Sequence, residues 1–135
     1  MFLLDTNIII GILTGREPLL VQRLQRELGK GANIAIPVPV LHELYFGAEK
    51  SAHKKRNLER IRTFREAVPE LAVFGEADAA EAAEIRALLE RKGTPIGTFD
   101  LLIAAQARRL RAVLVTLNRR EFARVPGLAL TSWKE

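Results

Sequence analysis

Apolar runs too short for anything but buried strands alternate along this chain with stretches of helical spacing, and that alternation leaves few folds open. Phe2-Leu3-Leu4 is the first such run. Asp5-Thr6-Asn7 comes next, three good helix-capping residues, and Ile8 to Leu13 reads as a short helix. Pro18 suits the first turn of the next helix, whose stripe is Leu19, Leu20, Leu24 and Leu28 before Gly29 to Gly31 end it. Asn33 to Pro37 is a second strand, and Pro37 and Pro39 predict a break around Val38. Helices are expected over 40–48, 52–68, 77–92 and 99–110, with a turn at Thr94 to Gly97. Further strands are expected at 71–74, 113–115 and 128–130, with a helical turn at 119–122. Short strands alternating with helices argue for an α/β fold on a parallel sheet.

At 135 residues the chain is one domain's length, 1–135, and 48% apolar residues are enough for a core without crosslinks. It has no cysteine, which excludes a disulfide scaffold, a zinc–thiolate site and a cysteine nucleophile. No apolar run reaches the roughly 20 residues of a membrane helix, and Asp5 interrupts the first apolar stretch where a signal peptide needs continuity. We therefore expect a complete cytoplasmic protein with no membrane association. The net charge of +5 favours a polyanionic or acidic partner.

Asp5, Asp78 and Asp100 are the only aspartates. Asp5 falls at the carboxyl end of the first strand, where open parallel sheets place their sites; capping the next helix would also account for it. Glu43 shares a helical face with Val40 and Gly47, poor surroundings for an idle charge, though a glutamate at the helix edge would fit too. Asp100 opens the apolar run Leu101 to Ala105, where the helix N-terminus favours it by about 0.3–1 kcal/mol. Glu121 stands directly after Arg119 and Arg120, so a surface ion pair is the simple alternative to a site role, and Thr116 and Asn118 are equally ordinary turn residues. These residues belong together through their position just past strand ends and at helix starts.

Four segments resemble the motifs of PIN-domain nucleases, in order along the chain: Leu3 to Ile10, Leu41 to Ala48, Ile96 to Ala107, and Leu114 to Phe122 with Val125 to Leu128 after it. The last, and the overall length, resemble the VapC toxins of toxin–antitoxin pairs. The resemblance implies a three-layer α/β/α fold around a central parallel sheet. It implies that Asp5, Glu43 and Asp100 hold a divalent metal, that Glu121 occupies the variable fourth acidic position, and that Asn7, Thr116 and Asn118 orient ligands or substrate. It further implies an RNA substrate, a VapB-like antitoxin that blocks the site, and a homodimer.

Hard oxygen donors without cysteine suit Mg²⁺ or Mn²⁺ rather than zinc. Such an ion supports hydrolysis of a phosphodiester by activated water, without a covalent enzyme intermediate, and is expected to leave a 5′-phosphate and a 3′-hydroxyl. Crowded carboxylates repel RNA unless cations surround them. Lys54, Lys55, Arg56, Arg60, Arg62 and Arg65 on one helix, and Arg108, Arg109, Arg111, Arg119 and Arg120 later, are either phosphate contacts or solvated helix faces. Tyr45 and Trp133 are either base-stacking or packing residues, and His42 and His53 are expected at the surface or between helices.

Two other readings compete. An inactive RNA- or protein-binding module on the same fold would not need the three acids that are present. A receiver or phosphatase domain would use Asp5 as acceptor, but Asn7 stands where its second aspartate is expected. No Gly-x-Gly-x-x-Gly succeeds the first strand, which disfavours dinucleotide binding.

Overall fold

The computed structural model describes residues 1–135. Its elements run β1 (Phe2–Leu4), α1 (Thr6–Leu13), α2 (Pro18–Gly29), β2 (Ile34–Pro37), α3 (Val38–Glu49), α4 (Lys54–Ala67), β3 (Leu71–Ala72), α5 (Glu76–Arg91), α6 (Thr98–Leu110), β4 (Val113–Val115), α7 (Arg119–Phe122) and β5 (Ala129–Thr131). The strands form one five-stranded sheet in the order β3-β2-β1-β4-β5, parallel throughout. The seven helices make it a three-layer α/β structure.

β1 is therefore the central strand, paired with β2 on one side and β4 on the other. Its Leu3 and Leu4, with Ile34, Ala35, Ile36, Leu114 and Val115, are buried on both sheet faces, as strands covered by helices above and below require. They belong to a single apolar cluster of 30 buried residues that also takes in Ile8, Ile9, Val40, Ile61, Ile85, Ile103 and Phe122. No helix is long and apolar enough to cross a membrane.

The expected break at Val38 does not occur. β2 runs through Pro37 into α3, which starts at Val38 with Pro39 in its first turn. Proline is tolerated there because the N–H it lacks would have no intrahelical partner. β3 stops at Ala72, two residues earlier than expected, and Val73 is 70% exposed. β5 lies one residue later than expected, and α1 begins at Thr6 rather than Ile8 because Asp5 caps it.

Candidate active site

In a parallel sheet every strand points its carboxyl end the same way, so the residues just past adjacent strands meet at one edge. Asp5 succeeds β1 and Thr116 succeeds β4, and the Asp5 amide donates to the Val115 carbonyl at 2.9 Å. The Asp5 side chain is only 5% exposed. Its Oδ1 accepts from the Thr6 amide at 2.8 Å and its Oδ2 from the Thr116 hydroxyl at 2.7 Å. Asp5 thus caps α1 and at the same time stands buried at the carboxyl edge of the sheet.

Glu43 comes from α3, and its Oε1 accepts from the Thr6 hydroxyl at 3.0 Å. Asp100 stands in the first turn of α6, just after the Gly97 N-cap. Its Oδ2 faces the Asn118 amide, which donates to it at 3.3 Å and to Glu121 Oε2 at 2.8 Å. Asn118 thus holds the Asp100 and Glu121 carboxylates side by side.

The electrostatics join all four acids. Burial, then the Asp5 charge, then the hydrogen bond and charge of Glu121 and the charge of Glu43 push the Asp100 carboxyl up to about 7. Burial also raises Asp5, against the hydrogen bonds from Thr116 and Thr6. Glu121 moves down, chiefly because Asn118 donates to its ionised form. Segments far apart in sequence thus converge on one acidic field. Beside it a cleft of about 210 Å³, lined by Ile10, Leu13, Glu43, Gly47 and Arg60 among others, runs between α1, α3 and α4.

The donors are carboxylate oxygens, the chemistry of a hard cation, and mutual repulsion gives them a reason to hold one. No three of them stand close enough to form a closed ligand cage. That spacing suits an ion that keeps several waters and takes only one or two carboxylates directly, as Mg²⁺ does.

Asn7 is exposed and makes no hydrogen bond to Asp5; the Thr6 amide and Thr116 hold that carboxylate instead. Sequence reasoning does not single out Thr6 or Gly97 as site residues. The only signal for Thr6 is its place between Asp5 and the helix start, and for Gly97 its place at the start of the Asp100 helix.

Several of the basic residues have partners within the chain. Arg108 pairs with Glu81 and Glu84, Arg109 with the buried Asp78, Arg62 with Glu59 and Glu66, Lys54 with Glu49, and Arg119 with Glu135. Lys55, Arg56, Arg60 and Arg120 have no ion pair. Trp133 is 2% exposed and packs edge-on against Phe2, so it is a core residue and not a stacking platform.

The sequence model of the PIN domain matches residues 2–128. A protein named tRNA(fMet)-specific endonuclease VapC, from Shigella flexneri, is 39% identical over 132 residues, 98% of this chain and 97% of that one. Ribonuclease VapC2 of Haemophilus influenzae is 37% identical with the same coverage. Among solved structures, the Rickettsia felis VapBC2 complex bound to a DNA fragment from its promoter superposes with a TM-score of 0.90 at 35% identity, covering 96% of each chain. The DNA-bound VapBC of Salmonella typhimurium gives 0.89 at 36%, covering 98% of this chain and 97% of that one.

Proposed function

This chain belongs to the PIN-domain family, and from that premise we propose that it is a metal-dependent endoribonuclease, the toxin half of a VapBC-type toxin–antitoxin pair. The observation that carries the reading is the meeting of Asp5, Glu43, Asp100 and Glu121 in one electrostatic field at the carboxyl edge of the sheet. Full-length similarity to proteins named as ribonucleases supports it.

We assign Asp5, Glu43 and Asp100 to holding Mg²⁺ or Mn²⁺, one or two of them directly and the rest through its waters, and Glu121 to the fourth acidic position. When bound, such an ion lowers the pKa of a coordinated water and neutralises charge gathering on the phosphodiester. Thr116 fixes the orientation of Asp5. Thr6 ties Asp5 to Glu43, its amide donating to the first and its hydroxyl to the second. Asn118 aligns Asp100 with Glu121 through one amide nitrogen. Asn7, exposed beside Asp5, is a candidate for the outer hydration of the ion. The chain acts as a single domain in the cytoplasm, as a homodimer, and is restrained by a VapB-like antitoxin. tRNA(fMet), the substrate in the name of the Shigella flexneri relative, is the first RNA to try.

The test is RNA cleavage in Mg²⁺ or Mn²⁺, with and without EDTA, for wild type, Asp5→Asn and Asp100→Asn. Loss of a carboxylate is expected to cost more than the roughly 10–100-fold lost with an outer partner at metal sites. Cleavage that survives EDTA, or both substitutions at wild-type rate, defeats the reading.

A further inference from the structure

We propose that His42 and Phe99 form a stacking shelf for an unpaired nucleobase beside the acidic site, making His42 a residue that positions single-stranded RNA for cleavage. The inference rests on the ribonuclease reading above and concerns its substrate. The two rings lie 5.8 Å apart and within 9° of parallel. His42 precedes Glu43 on α3, and Phe99 precedes Asp100 on α6, so the stack spans the two helices that deliver those acids.

Its two ends differ. Phe99 is half-buried against the core, whereas His42 is exposed. A pair serving only to pack α3 on α6 would bury both rings. Here the anchored ring supports the open one, and the outer imidazole face meets solvent. His42 enters no side-chain hydrogen bond or ion pair that would give its ring another task.

The surroundings call for such a contact. The acids repel a polyanion, and the free cations Lys55, Arg56 and Arg60 on α4 grip phosphates without regard to the bases. A flat π-face next to the carboxylates offers a hold they cannot. Single-stranded RNA is recognised in this way, by splayed bases laid on aromatic side chains.

The experiment uses single-stranded RNA carrying 2-aminopurine beside the scissile bond, with Ca²⁺ in place of the catalysing ion. Wild type should quench the fluorophore. His42→Ala should abolish the quench and weaken binding by about 5- to 150-fold, the range that loss of one base stack gives. His42→Phe should restore both, because any π-face serves. In cleavage assays His42→Ala should lower kcat/KM by the same factor, and the deficit should vanish on RNA made abasic at that nucleotide. His42→Ala that binds and quenches as wild type, or His42→Phe that behaves as alanine, overturns the proposal. So does a His42→Ala variant that loses antitoxin binding while holding RNA unchanged. RNA that is never cleaved but shows His42-dependent quenching sinks the nuclease reading and supports the shelf.

Discussion

The carboxylate of Asp5 is gripped on one side by the amide of its own neighbour and on the other by a hydroxyl 111 residues away. The Thr116 bond is buried, so its loss leaves a lone pair that water reaches poorly. Thr116→Val, nearly the same shape, should therefore weaken Mn²⁺ binding by about 10–100-fold, measurable by calorimetric titration, while the fold persists. Asp100 gives a second outcome. Its carboxyl titrates near 7 in the folded chain and at the ordinary 3.8 in the unfolded one. The unfolded chain thus releases this proton first, and metal-free stability falls as pH rises from about 4 to about 7. Asp100→Asn should raise the metal-free melting temperature at pH 8 and lose that advantage by pH 4. A wild type and variant that melt together at pH 8 would contradict it. Asp5 and Asp100 are legible in the sequence because an acid among aliphatic residues stands out. Thr6 is not, because its value lies in a hydrogen bond to Glu43 that only the folded chain creates.

α6 carries an acid at its start and a clamp at its end. Arg109 pairs with Asp78, which is 1% exposed and also accepts from the Gly75 amide at 2.8 Å; Arg108 reaches Glu81 and Glu84. These bonds fasten α6 to α5 and so fix the angle at which Asp100 enters the site. Asp78→Ala removes the helix-start bond and strands Arg109, at a cost of about 3 kcal/mol, the lower end for a broken buried pair because the guanidinium keeps some solvent. Urea denaturation would read this as a lower midpoint with an unchanged slope. From sequence alone Arg108 and Arg109 could equally be phosphate contacts. Nothing in a linear pattern says that α5 will lie alongside, since the pairings span 24 to 31 residues. The helices themselves are legible from their periodicity, and the error at Pro37 and Pro39 comes from reading proline as a break where a helix start accepts it.

For the molecule as a whole, charge decides how RNA is met. With Arg108 and Arg109 occupied, phosphate contacts fall to cations without an ion pair, Lys55, Arg56, Arg60 and Arg120 among them. RNA affinity should fall with salt, and Arg56→Ala with Arg60→Ala should flatten the log–log slope by about 0.7 for each phosphate left unneutralised. Arg108→Ala should leave the slope as it is. The alternation of strands and helices announces the parallel sheet. The strand order, with the first strand in the middle, is beyond it, because crossovers between distant segments set that order. That central position has a consequence for synthesis. β1 is made before the other strands yet has no partner on one side, and Asp5 no hydroxyl to hold it, until β4 and Thr116 have been made. Nascent chains stalled before residue 113 should therefore cleave no RNA, and activity should appear only once β4 and Thr116 have left the ribosome.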